Sequence, residues 1–338
     1  MKKRLTLLAF ALYLLFPLVA LSQPGKISGY MFGDYYYVAN NHVSELEGKN
    51  GFWFRRIYLT YDQDLSETFS IRFRLELNSP GDFTTSSKLE PFLKDGYLRW
   101  SKSQHSILLG LSPTPTWDHL EKIWGYRSVI KTPGDLYKFG SSRDFGLTFK
   151  GALDQKKRVH YHFMFANGNS TRSETNEGKK LLLALRYQFT SRFSFEVYGD
   201  WEDRDGPTNR YTGQFFLGYR GRQFRLGVQW MHQTRERNVD DLQLQVLSLF
   251  GVSKLHEKVW GFVRFDRTFD AIPDGPSVSF LPLDGTSKIN FLLLGLDFRP
   301  HEQVQLMPNV ELVFYDSFEG RTPSLDMIPR LTFFYVWK

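Results

Sequence analysis

Arg72, Arg74 and Glu76 alternate with Phe73, Leu75 and Leu77 in the stretch Phe69–Asn78, FSIRFRLELN. On an extended chain, residues two apart share a face, so two guanidiniums and a carboxylate line up on one side. Fixed charge along such a face can sort passing ions by sign, as rings of charge do in pores. It can equally pair with charge on neighbouring strands and stiffen a wall. The same alternation elsewhere puts Arg56, Arg99, Arg186, Glu196, Arg225, Arg264 and Arg330 on polar faces, with Asp144, Asp266, Asp297 and Glu311. Eight arginines against six acids lean only weakly towards anions.

Other chemistries are poorly served. Hydrolysis needs a nucleophile or an activated water beside a base. His119 follows Asp118, and His160 and His162 share a polar face, but none stands in a recognisable nucleophile motif. The two strand histidines read as polar filler rather than as metal ligands. The acidic run Asp200–Gly206, DWEDRDG, has oxygen ligands that suit Ca²⁺, yet its spacing is not that of an EF-hand loop and it reads as a solvated loop. The chain has no Cys, so disulfide and thiolate chemistry are excluded. The sequence therefore suggests no enzyme, no metal site and no cofactor. The formal charge of +7 falls by three without Lys2, Lys3 and Arg4, too mild for nucleic-acid binding.

A strand of ten residues with one dry and one charged face fits two settings. One is an antiparallel sheet with a core on one side. The other is a transmembrane barrel strand, apolar towards lipid and polar towards a lumen. The N-terminus helps to decide. Lys2, Lys3 and Arg4 precede an apolar run from Leu5 to Ala20, and Ala20-Leu21-Ser22 has small residues at a cleavage site before Gln23. Residues 1–22 are read as a secretory signal peptide and 23–338 as the mature chain. No later segment approaches the length of a membrane-spanning helix; the longest apolar run is Phe291–Leu296, FLLLGL.

Period-two alternation recurs down the chain and yields sixteen strands, from 28–38 to 327–337. The odd-numbered connections between them hold 12, 15, 31, 12, 7, 6, 21 and 10 residues, the even-numbered ones 4, 4, 6, 3, 2, 5 and 3. Outer-membrane barrels alternate long extracellular loops with short periplasmic turns, and a soluble sandwich has no reason to. The 17% aromatic content suits girdles of Tyr and Trp at the membrane interfaces. The expected fold is all-β, a 16-stranded antiparallel transmembrane barrel in a single domain. Arg55 shares a face with Trp53, Ile57 and Leu59 and is expected to meet lipid headgroups. Pro308 is expected to force a bulge or a local break in the fifteenth strand. The last strand puts Leu331, Phe333, Tyr335 and Trp337 on the membrane face; it resembles the aromatic C-terminal signal of outer-membrane barrels, here followed by Lys338.

Over about residues 50–151 the chain resembles the phosphate-selective porin O/P-like superfamily. The likeness rests on GFWFRRIYLTYD (51–62), IRFRLE (71–76), the Gly110–Pro115 exit from the fifth strand, Trp124–Arg127 (WGYR) and Ser141–Gly146 (SSRDFG). It implies a porin of the bacterial outer membrane, bounded by lipid and lipopolysaccharide, passing small hydrophilic solutes or anions by diffusion; homotrimers are common among such barrels. Phosphate selectivity is not carried over, because no lysine-rich constriction is evident. The resemblance also implies that the third extracellular loop, 112–142, folds inward as a constriction. Trp117, Asp118, His119, Glu121, Lys122, Trp124 and Arg127 are its candidate residues. Pro113 and Pro115 stiffen its start, Asp118 and Glu121 have capping-box spacing, and Trp117 and Trp124 can anchor it. A closed or nearly closed barrel with an adhesive or structural role is the alternative.

Overall fold

The structure is a computed structural model that describes residues 24–337; the leader read at 1–22, Gln23 and Lys338 lie outside the described residues. Sixteen strands follow one another: β1 (Lys26–Tyr37), β2 (Asn50–Asp64), β3 (Phe69–Asn78), β4 (Glu90–Lys102), β5 (His105–Pro113), β6 (Arg143–Ala152), β7 (Val159–Ala166), β8 (Lys180–Gln188), β9 (Phe193–Glu202), β10 (Arg210–Arg220), β11 (Phe224–Arg235), β12 (Leu242–His256), β13 (Val259–Thr268), β14 (Ile289–His301), β15 (Val304–Tyr315) and β16 (Asp326–Trp337). Each pairs antiparallel with its neighbours in sequence. β1 pairs with β16, from Gly29↔Trp337 to Tyr36↔Arg330, and closes the barrel. The expected all-β, 16-stranded fold is the one observed. Closure leaves no sheet edge unpaired.

The two faces differ as the alternation requires. Phe52, Leu109, Phe215 and Leu226 point outward and are exposed, while Glu76, Arg264 and Asp297 point inward and are buried. Outward apolar side chains recur on nearly every strand. So broad an apolar surface is not that of a protein solvated all round by water. Short turns such as 103–104, 257–258 and 302–303 gather at one rim, and the longer connections, such as 114–142 and 269–288, at the other.

Four register shifts interrupt the ladders among the described residues, and two of them turn a cation inward. Between β1 and β2 the register shifts after Phe32↔Arg56 to Gly33↔Phe54, leaving Arg55 as the extra residue. Between β3 and β4 it shifts from Arg74↔Asp95 to Leu75↔Leu93, leaving Lys94. A bulge inserts one residue and flips the facing of the strand beyond it. This overturns the expectation for Arg55. Both Trp53 and Arg55 face the interior, where Trp53 Nε1 donates to Asp34 and Arg55 is buried against Asp34 and the Val129 carbonyl.

At Pro308 the expected local break is present, on one side only. β15 passes through it without a bulge and keeps the pair Pro308↔Leu331. Only the β14 side is interrupted, between Gly295↔Asn309 and Phe298↔Leu306. Pro308 faces outward at a position where the absent N–H disturbs one ladder alone.

Candidate functional site: the lumen and its inward-folded loop

The connection 114–142 turns into the barrel. Its base is pinched where Thr114 N–H donates to the Ser142 carbonyl at 3.2 Å and Thr114 Oγ1 to the Ser141 carbonyl at 2.7 Å. Two short helices follow, α1 (Asp118–Trp124) and α2 (Pro133–Leu136), the second with Pro at its first position, where no N–H is needed. The expected capping box does not form. Trp117 occupies the cap without a side-chain bond, and the Asp118 carboxylate instead takes Lys122 at 2.6 Å. Gly125 ends α1 at φ 72°, the left-handed conformation that glycine adopts without penalty.

The wall holds the loop by polar contacts. Tyr126 donates to Asp297 at 3.0 Å and Tyr137 to Asp266 at 2.9 Å. Gln214 and Gln233 donate to the carbonyls of Thr116 and Phe139. Apolar contacts do more. Leu120, Ile123, Trp124, Ile130 and Leu136 join one buried cluster with Phe216, Phe250, Phe262, Phe291 and Leu293 of the wall. Ile272, Val278, Leu281 and Leu283 of the 269–288 connection join it as well. Most of the β10–β15 sector of the interior is therefore filled, and the open space lies mainly on the β1–β9 side.

Three of the cavities among the described residues bear on that space. One of about 640 Å³ opens at the long-loop rim, lined by Asn78, Gly168, Arg172, Arg204 and Arg210 among others. One of about 210 Å³ lies towards the short-turn rim, lined by Tyr30, Phe32, Tyr58, Gln305 and Phe334. Arg56, Lys94, Arg127 and Ser142 line both. The third, about 300 Å³, lies between α1 and β5–β9.

The shared side chains form a charged partition. Arg56 and Lys94 grip Glu76 from two sides, each at 3.0 Å. Arg127 spans Asp135 at 2.9 Å and Glu121 at 3.4 Å. Burial opposes the charge on Asp135, but Lys131, Arg127 and Arg56 outweigh it and hold its pKa below the usual carboxylate range. Asp135 is thus a standing anion that keeps Arg127 across the gap. The wider cavity adds Lys138, Arg172, Arg204 and Arg210, and its lining acids are Glu76 and Asp135. Its field is positive.

The residues singled out from sequence divide among these places. Arg56, Glu76, Glu121 and Arg127 stand at the partition. Asp118, His119, Lys122, Arg186 and Glu196 line the third cavity, together with His160 and His162. Trp117 and Trp124 are buried, Trp124 against Phe250 and Phe262 of the wall. Arg72 and Arg74 brace the wall through Asp62 at 2.7 Å and Asp95 at 3.2 Å, and Arg99 donates to Ser101. Arg225 packs over the Tyr126 ring, Arg264 pairs with Asp266, and Arg330 sits between Glu311 and Asp34. Lys94, Asp135, Lys138, Ser142 and Arg143 were not singled out. The run Asp200–Gly206 is not solvated throughout: Asp200 and Glu202 are buried in β9 and take Lys180 at 3.3 and 3.1 Å.

One pair resembles catalytic machinery. His119 Nε2 lies 2.7 Å from Ser194 Oγ. Arg186 Nη1, which can only donate, lies 3.0 Å from His119 Nδ1. Nδ1 must therefore carry the lone pair, and Nε2–H donates to the serine. That polarity is the reverse of what general-base activation needs. Burial and then Arg186 push the His119 pKa down to about 3, so the ring stays neutral.

No protein-family model and no curated protein matches the sequence. Solved structures do match in fold. The chain is similar to an anion-selective porin from Comamonas acidovorans, with TM-score 0.68, 13% identity, and 94% of this chain and 100% of that chain covered. It is similar to Salmonella typhi OmpF in complex with daunomycin, with TM-score 0.67, 10% identity and coverage of 93% and 97%. It is also similar to the trimer form of in-vitro folded OmpT, an outer membrane protein of Vibrio cholerae, with TM-score 0.60, 8% identity and coverage of 93% and 99%. At these identities the likeness is one of fold.

Proposed function

We propose that this chain is a porin of the bacterial outer membrane, a water-filled channel through which small hydrophilic solutes and ions diffuse, with a weak anion preference. The observation that carries the reading is the pair of cavities, one towards each rim, that meet at Arg56, Lys94, Arg127 and Ser142. A sixteen-stranded barrel is wide enough for an aqueous channel, and the inward loop narrows it. The apolar outer face calls for lipid, with lipopolysaccharide around the long-loop rim. The name of the Comamonas structure supports the anion preference, as does the cationic lining of the wider cavity. The kinship with the phosphate-selective porin O/P-like superfamily rests on the sequence likeness over 50–151, and the partition is proposed as general rather than phosphate-specific. The leader at 1–22 accounts for export. A homotrimer is proposed by likeness to the trimeric Vibrio protein.

Purified protein in a planar bilayer should conduct without energy input, and under a salt gradient the reversal potential should lie on the anion side. A bilayer that stays silent at protein levels where control porins conduct refutes the reading.

The membrane assignment makes a prediction for β16. Leu331 and Tyr335 are exposed on the outer face, and the Phe333 and Trp337 rings lie over Gly33 and Gly29 of β1. Those rings fill what the glycines leave open at the strand pair that closes the barrel. Changing Phe333, Tyr335 and Trp337 together to Ser should abolish heat-modifiable, membrane-inserted protein. Normal outer-membrane levels of the triple variant would contradict this.

A further inference from the structure

We propose that the third cavity is a binding site for a small hydroxycarboxylate, a solute carrying one carboxylate and several hydroxyls. The cavity holds about 300 Å³, the lower end of the range for small-molecule pockets. Two rungs of the sheet make its wall. One runs Lys150–His162–Ala184 across β6, β7 and β8, and the next runs His160–Arg186–Glu196 across β7, β8 and β9. Ala184 is the short side chain in this arrangement, and its size leaves the space. α1 closes the far side with Asp118, His119 and Lys122.

Asp118 and Lys122 satisfy one another in this cavity, but several of its other polar atoms are left without partners among the described residues. Glu196 is 4% exposed, and its Oε1 has no hydrogen-bond partner among the described residues. Arg186 gives Nη1 to His119, but its buried Nε has no partner. Neither Arg186 nor Lys150 has an ion-pair partner among the described residues, whereas Arg56, Arg72, Arg74, Arg127, Arg264 and Arg330 are each held by a carboxylate. His162 Nε2 is likewise buried and without a partner. Buried polar atoms are normally paired, and leaving one unpaired is costly.

The mismatch specifies a ligand. Two cations with no carboxylate in ion-pair contact among the described residues can take one from a ligand. An unbonded carboxylate and a ring nitrogen call for hydroxyl groups. A simple anion such as acetate would meet Arg186 and Lys150 but would bring no hydroxyl to Glu196 or His162. A neutral sugar would serve Glu196 and leave the cations unmatched. A short sugar acid meets both demands.

Calorimetry on the folded, detergent-solubilised barrel tests this with D-gluconate, D-glucose, acetate and inorganic phosphate as probes. Gluconate should bind saturably and about tenfold or more tighter than the other three, the scale of one lost charge-assisted hydrogen bond. Ala184→Leu should abolish binding by filling the space, and Arg186→Gln should weaken it about tenfold. Arg186→Gln also releases His119. If that variant does not fold, as judged by heat-modifiable migration, Lys150→Gln is read in its place with the same expected loss. Gluconate binding no tighter than any one of the controls, or unchanged in a folded Ala184→Leu barrel, overturns the proposal. The readout needs no conduction, so failure here is distinguishable from failure of the porin reading.

Discussion

Replacing Arg330 by Met is expected to cost the barrel about 3–5 kcal/mol, the loss seen when one partner leaves a buried ion pair. Arg330 is fully buried at the β1–β16 seam, with Nε 2.9 Å from Glu311, Nη1 3.4 Å from Asp34 and Nη2 donating to the Phe280 carbonyl. Its guanidinium also lies over the rings of Tyr36, Trp53 and Phe83, each within about 6 Å, where cations are attracted to aromatic faces. Without it, Arg55 is the one cation left to Asp34 and Glu311 among the described residues. The same change frees Phe280 and so loosens the 269–288 connection that helps to fill the interior. A lower denaturation midpoint of the heat-modifiable form is the expected readout. Adding Glu311→Gln should recover part of the loss, because one of the stranded anions is then gone. An unchanged midpoint for Arg330→Met would show that the network contributes nothing net.

Arg127→Ser is expected to raise single-channel conductance and to move the reversal potential towards cations. Arg127 lines both cavities and is held across the gap by Asp135 and Glu121. A shorter side chain merges the two spaces, and removing its charge leaves those two acids less opposed. One unit charge at ~4 Å is worth about 1 kcal/mol even in water. That corresponds to about a fivefold change in local anion occupancy. The shift in reversal potential should shrink in 1 M salt, where the screening length is ~3 Å. A larger deletion within 116–138 would be a poorer probe. It would strip the cover from Phe216, Phe250, Phe262 and Phe291, which pack against the loop. If Arg127→Ser leaves both conductance and selectivity unchanged, ions do not pass this partition.

Much of the fold was legible because each strand has two unlike faces. FSIRFRLELN became β3 with its charges inward, and the long-short rhythm of the connections gave the strand count. The misreadings cluster where the period slips. In GFWFRRIYLTY, outward apolar positions move from Phe52 and Phe54 to Ile57 and Leu59. In EPFLKDGYLRW they move from Leu93 to Leu98. Each slip is a bulge, and each sends an extra cation inward, Arg55 in one case and Lys94 in the other. The phase change was present in the sequence, but a strict period of two assigns Arg55 to the wrong face and passes over Lys94. The filled half of the lumen left a signal too. FLLLGL in β14 is apolar on both faces, with Leu294 and Leu296 outward and Phe291 and Leu293 against the inward loops. Ile272, Val278, Leu281 and Leu283 make the 269–288 connection more apolar than a solvated loop should be. What no local pattern could give is the meeting of Arg56, Lys94 and Arg127, which arrive from β2, β4 and the inward loop.

The absence of native cysteine makes the route itself measurable. Ser142→Cys places a thiol on the partition, and Ser248→Cys places one on the inner wall of β12, in the filled sector, at a position that is 1% exposed. A cationic methanethiosulfonate reagent added to single channels in a planar bilayer should cut the current stepwise at Ser142→Cys and leave Ser248→Cys unchanged. Block at Ser248→Cys with none at Ser142→Cys would place the water path on the other side of the barrel, and a wild-type protein that conducts nothing would replace the channel with a closed barrel.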